Sequence, residues 1–424
     1  MKRYNARRTR FATSNVAVGV LALLAACTPA QPPTQGPGPE PAGTMVQVGL
    51  LVDTTQVELG SSSDFQIVDS TGRVLHRLSA QEQATISSGA PGQLVVSVGG
   101  VRSTASEITA HASGDGLLSI GGKPYRGSAL VRPRPNGRVT AINLVDMESY
   151  LLGVVPYEIG RVGPELLEAS KAQAVAARTY AFRYLGRRAN LGFDVFATVA
   201  DQVYGGAAGE HPPVSEAVLA TAGEILTYNG EPIEAFYHST CAGQTAAIEE
   251  VWPEQPRPYL VSVVDVNPQT GIAFDSVSSR FRWTQRWSAD SLTTILNRTL
   301  RDSLPVGVRD IGELRDLQVL ERTASNRIKR MRITTSNGTF HVGGDRIRWI
   351  FLTPTGAILN SSRFDVTTER DPQGRVVAVV ASGGGWGHGI GMCQVGAMGR
   401  ARAGQDYRTI LRTYYPGTSI SMIN

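Results

Sequence analysis

Two segments of this 424-residue chain place a histidine close to a cysteine: Tyr237-His238-Ser-Thr-Cys241 and Gly385-Trp-Gly-His388-Gly-Ile-Gly-Met-Cys393-Gln394. Pooled, His238, Cys241, His388 and Cys393 make a His2Cys2 set that suits a tetrahedral zinc ion. The spacings are not those of a zinc finger, so residue type carries this reading rather than pattern. The chain has three cysteines. If Cys27 is modified, Cys241 and Cys393 remain as a pair, and outside the cytoplasm such a pair can close a disulfide instead. Two buried thiols that never meet is the third reading. The glycines at 383–391 are followed by no Gly-Lys-Ser/Thr ending, which argues against a phosphate loop. They fit a backbone that closely approaches a ligand or its neighbours. Ser239 adjoins His238, but no Gly-x-Ser-x-Gly elbow accompanies it, which argues against a serine hydrolase.

An acid stands apart in Gly153-Val-Val-Pro-Tyr-Glu158. The apolar run reads as a strand ending at Pro156, with Glu158 at a junction just before a helix. A carboxyl partly buried against Tyr157 would have a raised pKa and suit general-acid chemistry. The following helix N-terminus would oppose this by favouring the anion, and an exposed helix-flanking acid is the plainer alternative.

The elements that must position these groups are of both kinds, giving an α+β fold class with a β-rich N-terminal lobe on a mixed body. Residues 46–135 read as short strands between turn signals such as Asp69-Ser-Thr-Gly72 and Asn136-Gly137. Gly163–Arg188 reads as a long alanine-rich helix, with Pro164 at its first position and Leu166, Ala169, Gln173, Ala177, Tyr180 and Tyr184 on one face. Further helices are expected at Pro213–Thr221, Ser288–Arg301 and Asp406–Tyr414. Strands are expected at Glu224–Tyr228, Ile233–His238 and Val376–Val380, with a hairpin around Asn337-Gly338. The implied organisation is a core over 136–280, an inserted α+β lobe over 281–380, and a segment 381–424 that returns to the core.

The chain opens with Lys2, Arg3, Arg7, Arg8 and Arg10, then an apolar run from Val16 to Ala26 ending at Cys27. That is a signal-peptide pattern, too short to span a bilayer of about 30 Å. Small residues before Cys27 resemble a lipoprotein cleavage site, so residues 1–27 are expected to be removed or acylated at Cys27, tethering the protein to a membrane. Residues 28–45 are rich in Pro and Gly and read as a linker. The chain carries a net charge of +5. The five basic residues before Cys27 account for it, so basicity gives no argument for a nucleic-acid partner.

The motifs as a set resemble the stage II sporulation protein D family, also called the amidase-enhancer or LytB family. The resemblance rests on Tyr150-Leu-Leu-Gly-Val-Val-Pro-Tyr-Glu158, Lys171-Ala-Gln-Ala-Val-Ala-Ala-Arg-Thr-Tyr180, Asp201-Gln-Val-Tyr-Gly205, Tyr237-His-Ser-Thr-Cys241, Gly385-Trp-Gly-His-Gly-Ile-Gly-Met-Cys-Gln394 and Tyr414-Tyr-Pro-Gly417. It implies a lytic transglycosylase that cuts peptidoglycan strands already stripped of peptides, leaving 1,6-anhydro ends, with Glu158 as the single catalytic acid. It implies substrate contacts at Asp201, Tyr204, Arg178, His388 and Gln394, although Arg178 and Gln173 also fit structural roles and Asp201 fits a loop acid holding backbone amides. It adds weight to a structural zinc at His238 and Cys241. Cys393 departs from the family, where serine is common. The amidase-enhancer branch implies a rival role: a non-catalytic wall-binding partner of a cell-wall amidase.

Overall fold

The computed structural model describes residues 43–301 and 310–423. Cys27, the signal segment and most of the linker lie outside the described residues. The helices are α1 (Met147–Glu158), α2 (Leu167–Arg183), α3 (Pro212–Ala220), α4 (Ile248–Val251), α5 (Ala289–Thr299), α6 (Arg346–Ile350), α7 (Gln394–Arg402) and α8 (Tyr407–Tyr414). With the strands they make an α+β protein, as the sequence indicates.

The N-terminal strands alternate buried and partly exposed residues, the period-two pattern of a sheet with one face on a core. They form a seven-stranded and a six-stranded sheet. Met45–Thr54 lies between Val139–Asp146, antiparallel, and Val195–Phe196, parallel, so a strand from the helical body extends the lobe's sheet. Buried side chains of this lobe, such as Val48, Ile86 and Val131, share one continuous apolar core with Leu151, Val175 and Ile410 of the helices. A second core, built around Trp287, Leu296, Ile333, Phe351 and Val379, lies within residues 287–381.

Two local expectations are corrected. The apolar run before Glu158 is helix α1, not a strand. Asp146 caps it by accepting the Ser149 N–H at 2.9 Å, a contact worth about 1 kcal/mol. Pro156 sits in the final turn and forfeits the N–H that would bond the Leu152 carbonyl, a loss the buried packing of the helix tolerates. The long helix is also shorter than expected: Pro164–Leu166 is a 3-10 turn, and α2 ends at Arg183. Nor does α2 present one apolar face. Residues 172–181 are all buried, from Ala172 to Ala181, as expected of a helix enclosed on every side. Its alanines let α1, α3, α7 and α8 approach closely.

α5, α8 and the hairpin fall within a residue or two of their expected places, with Ser288 and Asp406 acting as N-caps. The expected strand Ile233–His238 reduces to Tyr237–His238, which pairs in parallel with Met392–Cys393 and puts His238 opposite Cys393. Two motifs about 150 residues apart are thereby joined.

Candidate functional site

Glu158 ends α1 and is half-buried. Its Oε1 accepts the Val203 N–H at 3.1 Å, and Gln394 Nε2 lies 3.5 Å from Oε2. Burial pushes its carboxyl pKa up, against hydrogen bonds from Val203, Gln394 and Tyr237. The helix terminus beside Glu158 is a C-terminus, whose partial negative charge also disfavours the anion. The opposing N-terminal dipole expected from the sequence is replaced by a reinforcing one.

A chain of hydrogen bonds fixes the phenol beside this carboxyl. Tyr150 donates to Gln202 Oε1 at 3.1 Å, and Gln202 Nε2 donates to the Tyr237 hydroxyl at 2.9 Å. That hydroxyl therefore has its proton free to face Glu158. The Tyr237 ring lines a groove of about 530 Å³ walled by Tyr180, Tyr184, Phe236, Trp252 and His388. Aromatic walls with a few polar groups suit a sugar, whose apolar ring faces stack while its hydroxyls need partners. Arg187 lies over the Tyr184 ring at 4.4 Å.

The residues expected to contact substrate separate sharply. Gln394 stands at Glu158 and also reaches Gln173 Oε1 at 3.3 Å. His388 lines the groove with its ring 5.1 Å from Trp252. Its Nδ1 accepts the Ile390 N–H, and burial holds its pKa down to about 4. Asp201 borders the groove, but its side chain is fully buried. It is paired with Arg188 at 2.9 Å and accepts the Phe196 N–H at 2.8 Å. It holds a loop, and the substrate role gives way to that reading. Tyr204 is corrected too: its hydroxyl donates to Asn143 and its ring packs between Tyr125 and Tyr150. Arg178 is buried against Glu148, donating at 2.8 Å, and also reaches the Glu224 and Val218 carbonyls. It ties α2 to α1 and lines no groove.

Behind the groove, one donor atom each from His238, Cys241 and Cys393 fall within 4.8 Å of one another, all buried. His388 is not in this grouping, so the His2Cys2 set is corrected to three residues with acids nearby. Cys241 also groups with Asp265 and Asp275. Both cysteines are free thiols. The donor set fits a metal on three grounds. His238 Nδ1 lies 3.2 Å from the Ile390 carbonyl, which selects the tautomer that leaves Nε2 a lone pair, and Nε2 is buried with no protein partner. Cys393 Sγ accepts two backbone N–H groups, from Cys241 at 3.2 Å and Gly396 at 3.3 Å, and caps α7; both features favour a thiolate. Asp275 Oδ1 is buried and unpartnered, while Oδ2 accepts the Ala242 N–H. Burial raises the pKa of both thiols and of Asp275, a cost that a bound cation would offset. Asp265 is instead engaged by Arg400 at 2.8 Å and by the Tyr414 hydroxyl.

The glycine run is explained by contact. Gly385, Gly387, Gly389 and Gly391 all have positive φ. A Cβ on Gly387 would stand 2.8 Å from His238 Cβ, and one on Gly391 only 2.0 Å from the Phe236 carbonyl oxygen. The run therefore lies flush against the His238 strand. Residue type and spacing alone do not mark Gln202, Tyr237, Asp265 and Asp275 as site residues. The first two lie inside the segments 201–205 and 237–241; the acids lie in loops with no local signal.

Residues 135–228 match the profile of the family described as stage II sporulation protein. Residues 272–391 match a domain of unknown function. The chain is similar to the amidase enhancer of Bacillus subtilis (strain 168), at 33% identity over 64% of this chain and 40% of that protein. It is similar to an uncharacterized protein of Brachyspira hyodysenteriae, at 31% identity over 72% of this chain and 74% of that one. It is also similar to the stage II sporulation protein D of Bacillus subtilis (strain 168), at 30% identity over 66% of this chain and 76% of that one. The chain thus spans well under two thirds of the amidase enhancer's length.

Proposed function

Because this chain belongs to the stage II sporulation protein D family, we propose that it works outside the cytoplasm as a peptidoglycan lytic transglycosylase with Glu158 as acid and base. The observation that carries this is Glu158 itself: a half-buried carboxyl with a raised pKa, joined through Tyr237 to an aromatic groove. Protonated Glu158 gives its proton to the glycosidic oxygen as the bond to the MurNAc C1 breaks. The resulting carboxylate takes the proton from that sugar's C6 hydroxyl as O6 closes on C1. Glu158 ends protonated, the products are a 1,6-anhydro end and a new hydroxyl, and no water is consumed. Glycosidases that use water need a second carboxylate. Asp201, which borders the groove, is held by two arginines and is poorly placed to serve as one. Denuded strands are the proposed substrate.

Zinc held by His238, Cys241 and Cys393, with Asp275 beside Cys241, is the proposed metal. It would fix the strand that carries Tyr237 rather than enter the reaction. A lipid on Cys27 is the proposed tether. The second reading, a wall-binding protein that stimulates an amidase, is favoured by the likeness to the amidase enhancer. Incubation of the soluble body with peptide-free glycan strands, followed by mass spectrometry, separates the two: 1,6-anhydro products support the enzyme, and binding without product supports the enhancer.

A further inference from the structure

Arg327 is 1% exposed, and all three of its guanidinium nitrogens lack a protein partner among the described residues. An unpaired buried charge costs several kcal/mol, so a fold that keeps one requires a compensating negative group. Arg327 comes from the second lobe, at the end of the turn Thr323–Arg327 that joins two strands. That turn docks on the core through Ser325, whose N–H and hydroxyl both donate to Glu250. The guanidinium then enters the notch left by Gly389, where a Cβ would stand 2.0 Å from Nη2. Ile390, next to that notch, accepts from His238 Nδ1 at 3.2 Å, so the guanidinium enters beside a histidine whose own Nε2 is unpartnered.

Near this cluster Asp265 pairs with Arg400 and Asp345 with Arg348, while Arg363, only half-buried, hydrogen-bonds the carbonyls of Cys241 and Ala242 and keeps its charge partly in solvent. The fully buried groups left without a counter-charge are Cys241, Cys393 and Asp275 on one side and Arg327 on the other. Two thiolates and a carboxylate around a divalent cation carry one net negative charge, which one guanidinium cancels.

We propose that Arg327 is the counter-charge of the His238–Cys241–Cys393 metal centre, a positioning residue supplied by the second lobe that neutralises the centre without ligating the ion. The inference rests on the metal reading given above. It assigns a role to a residue of the 272–391 region, which the matched family profile over 135–228 does not cover. It also makes metal binding and docking of the second lobe interdependent.

The test compares the full soluble body with its Arg327→Met and Arg327→Lys variants, each stripped and then titrated with Zn(II) against a chromophoric chelator, with melting followed in parallel. Arg327→Met is expected to weaken Zn(II) binding about ten- to a hundredfold, the usual size of an outer-shell effect. The stripped variant should melt no lower than the stripped wild type, because an unpaired charge has gone. Arg327→Lys, which keeps the charge, should bind Zn(II) more tightly than Arg327→Met. Equal Zn(II) affinity in wild type and Arg327→Met, with melting lowered by the same amount in both states, would make Arg327 a mere packing residue and overturn the proposal. Failure of the wild type to bind Zn(II) would overturn the metal reading and this inference with it. If Arg327→Met does not fold, Arg327→Lys matching the wild type supports the proposal, and a loss as large as the removal of His238 overturns it.

Discussion

Replacing Glu158 with Gln tests the catalytic assignment with little disturbance of the fold. Glu158 accepts the Val203 N–H at 3.1 Å, lies 3.5 Å from Gln394 Nε2, and also takes a hydrogen bond from the Tyr237 hydroxyl. A glutamine carbonyl keeps the first. Its amide would face the Gln394 amide donor, but Gln394 can turn over and accept. Gln173 can turn in the same sense, since its Nε2 has no partner to lose. The stability change should therefore stay within about 1 kcal/mol, the net value of one hydrogen bond. Its pH dependence has a definite sign. Because folding raises the Glu158 pKa, this carboxyl favours the folded state below its unfolded pKa, and that contribution is lost as pH rises through the folded pKa. The variant lacks this loss, so it should melt at the wild-type temperature or higher at neutral pH. Activity should fall about 10²- to 10⁴-fold, the scale of a lost general acid, or about 2.7–5.5 kcal/mol of transition-state stabilisation. The assay is the rate of 1,6-anhydro end formation from denuded strands, with melting measured on the same samples. Equal rates in both proteins, or a rate loss that merely follows unfolding, would refute the role.

Three further outcomes are expected. Tyr237→Phe keeps the groove wall but removes a hydrogen bond that lowers the Glu158 pKa; the alkaline limb of the rate profile should move to higher pH, with about a tenfold loss of maximal rate. Trp252→Ala removes a groove wall that also packs on Phe236 and His388; it should weaken glycan binding by about 1–2 kcal/mol in a calorimetric titration and lower the melting temperature as well, because the ring is partly buried against the core. Gly389→Ala places a methyl 2.0 Å from Arg327 Nη2 at a φ of +93°, so it should cost about 2 kcal/mol or more. Combined with Arg327→Ala, the total should be less than the sum of the two, because the clash is shared.

Much of this protein can be read from its residues in order. Ser288 and Asp406 announce helix starts through their side chains, and Asn337-Gly338 announces a hairpin, because caps and tight turns are chemistry between near neighbours. The alanine content of 172–181 signals a helix in close contact with others. The motif acid Glu158 and the His–Cys segments single themselves out by type. Local pattern failed where distant partners decide. The Val-Val-Pro run before Glu158 looks extended, but Asp146 caps it and packing against α2 holds it helical despite Pro156. Asp201 and Tyr204 look like site residues until Arg188 and Asn143 are found holding them.

Sequence by itself therefore determined most element types and singled out Glu158 and the His–Cys segments by residue type, since these depend on side-chain identity and short-range periodicity. Tertiary structure alone decided what those residues face. It paired His238 with Cys393 across two short strands, removed His388 from the cysteines to the groove, brought Asp275 to Cys241, and set an unpaired Arg327 behind them. Such placements depend on contacts between segments tens to more than a hundred residues apart, and burial there sets the charge each group can carry.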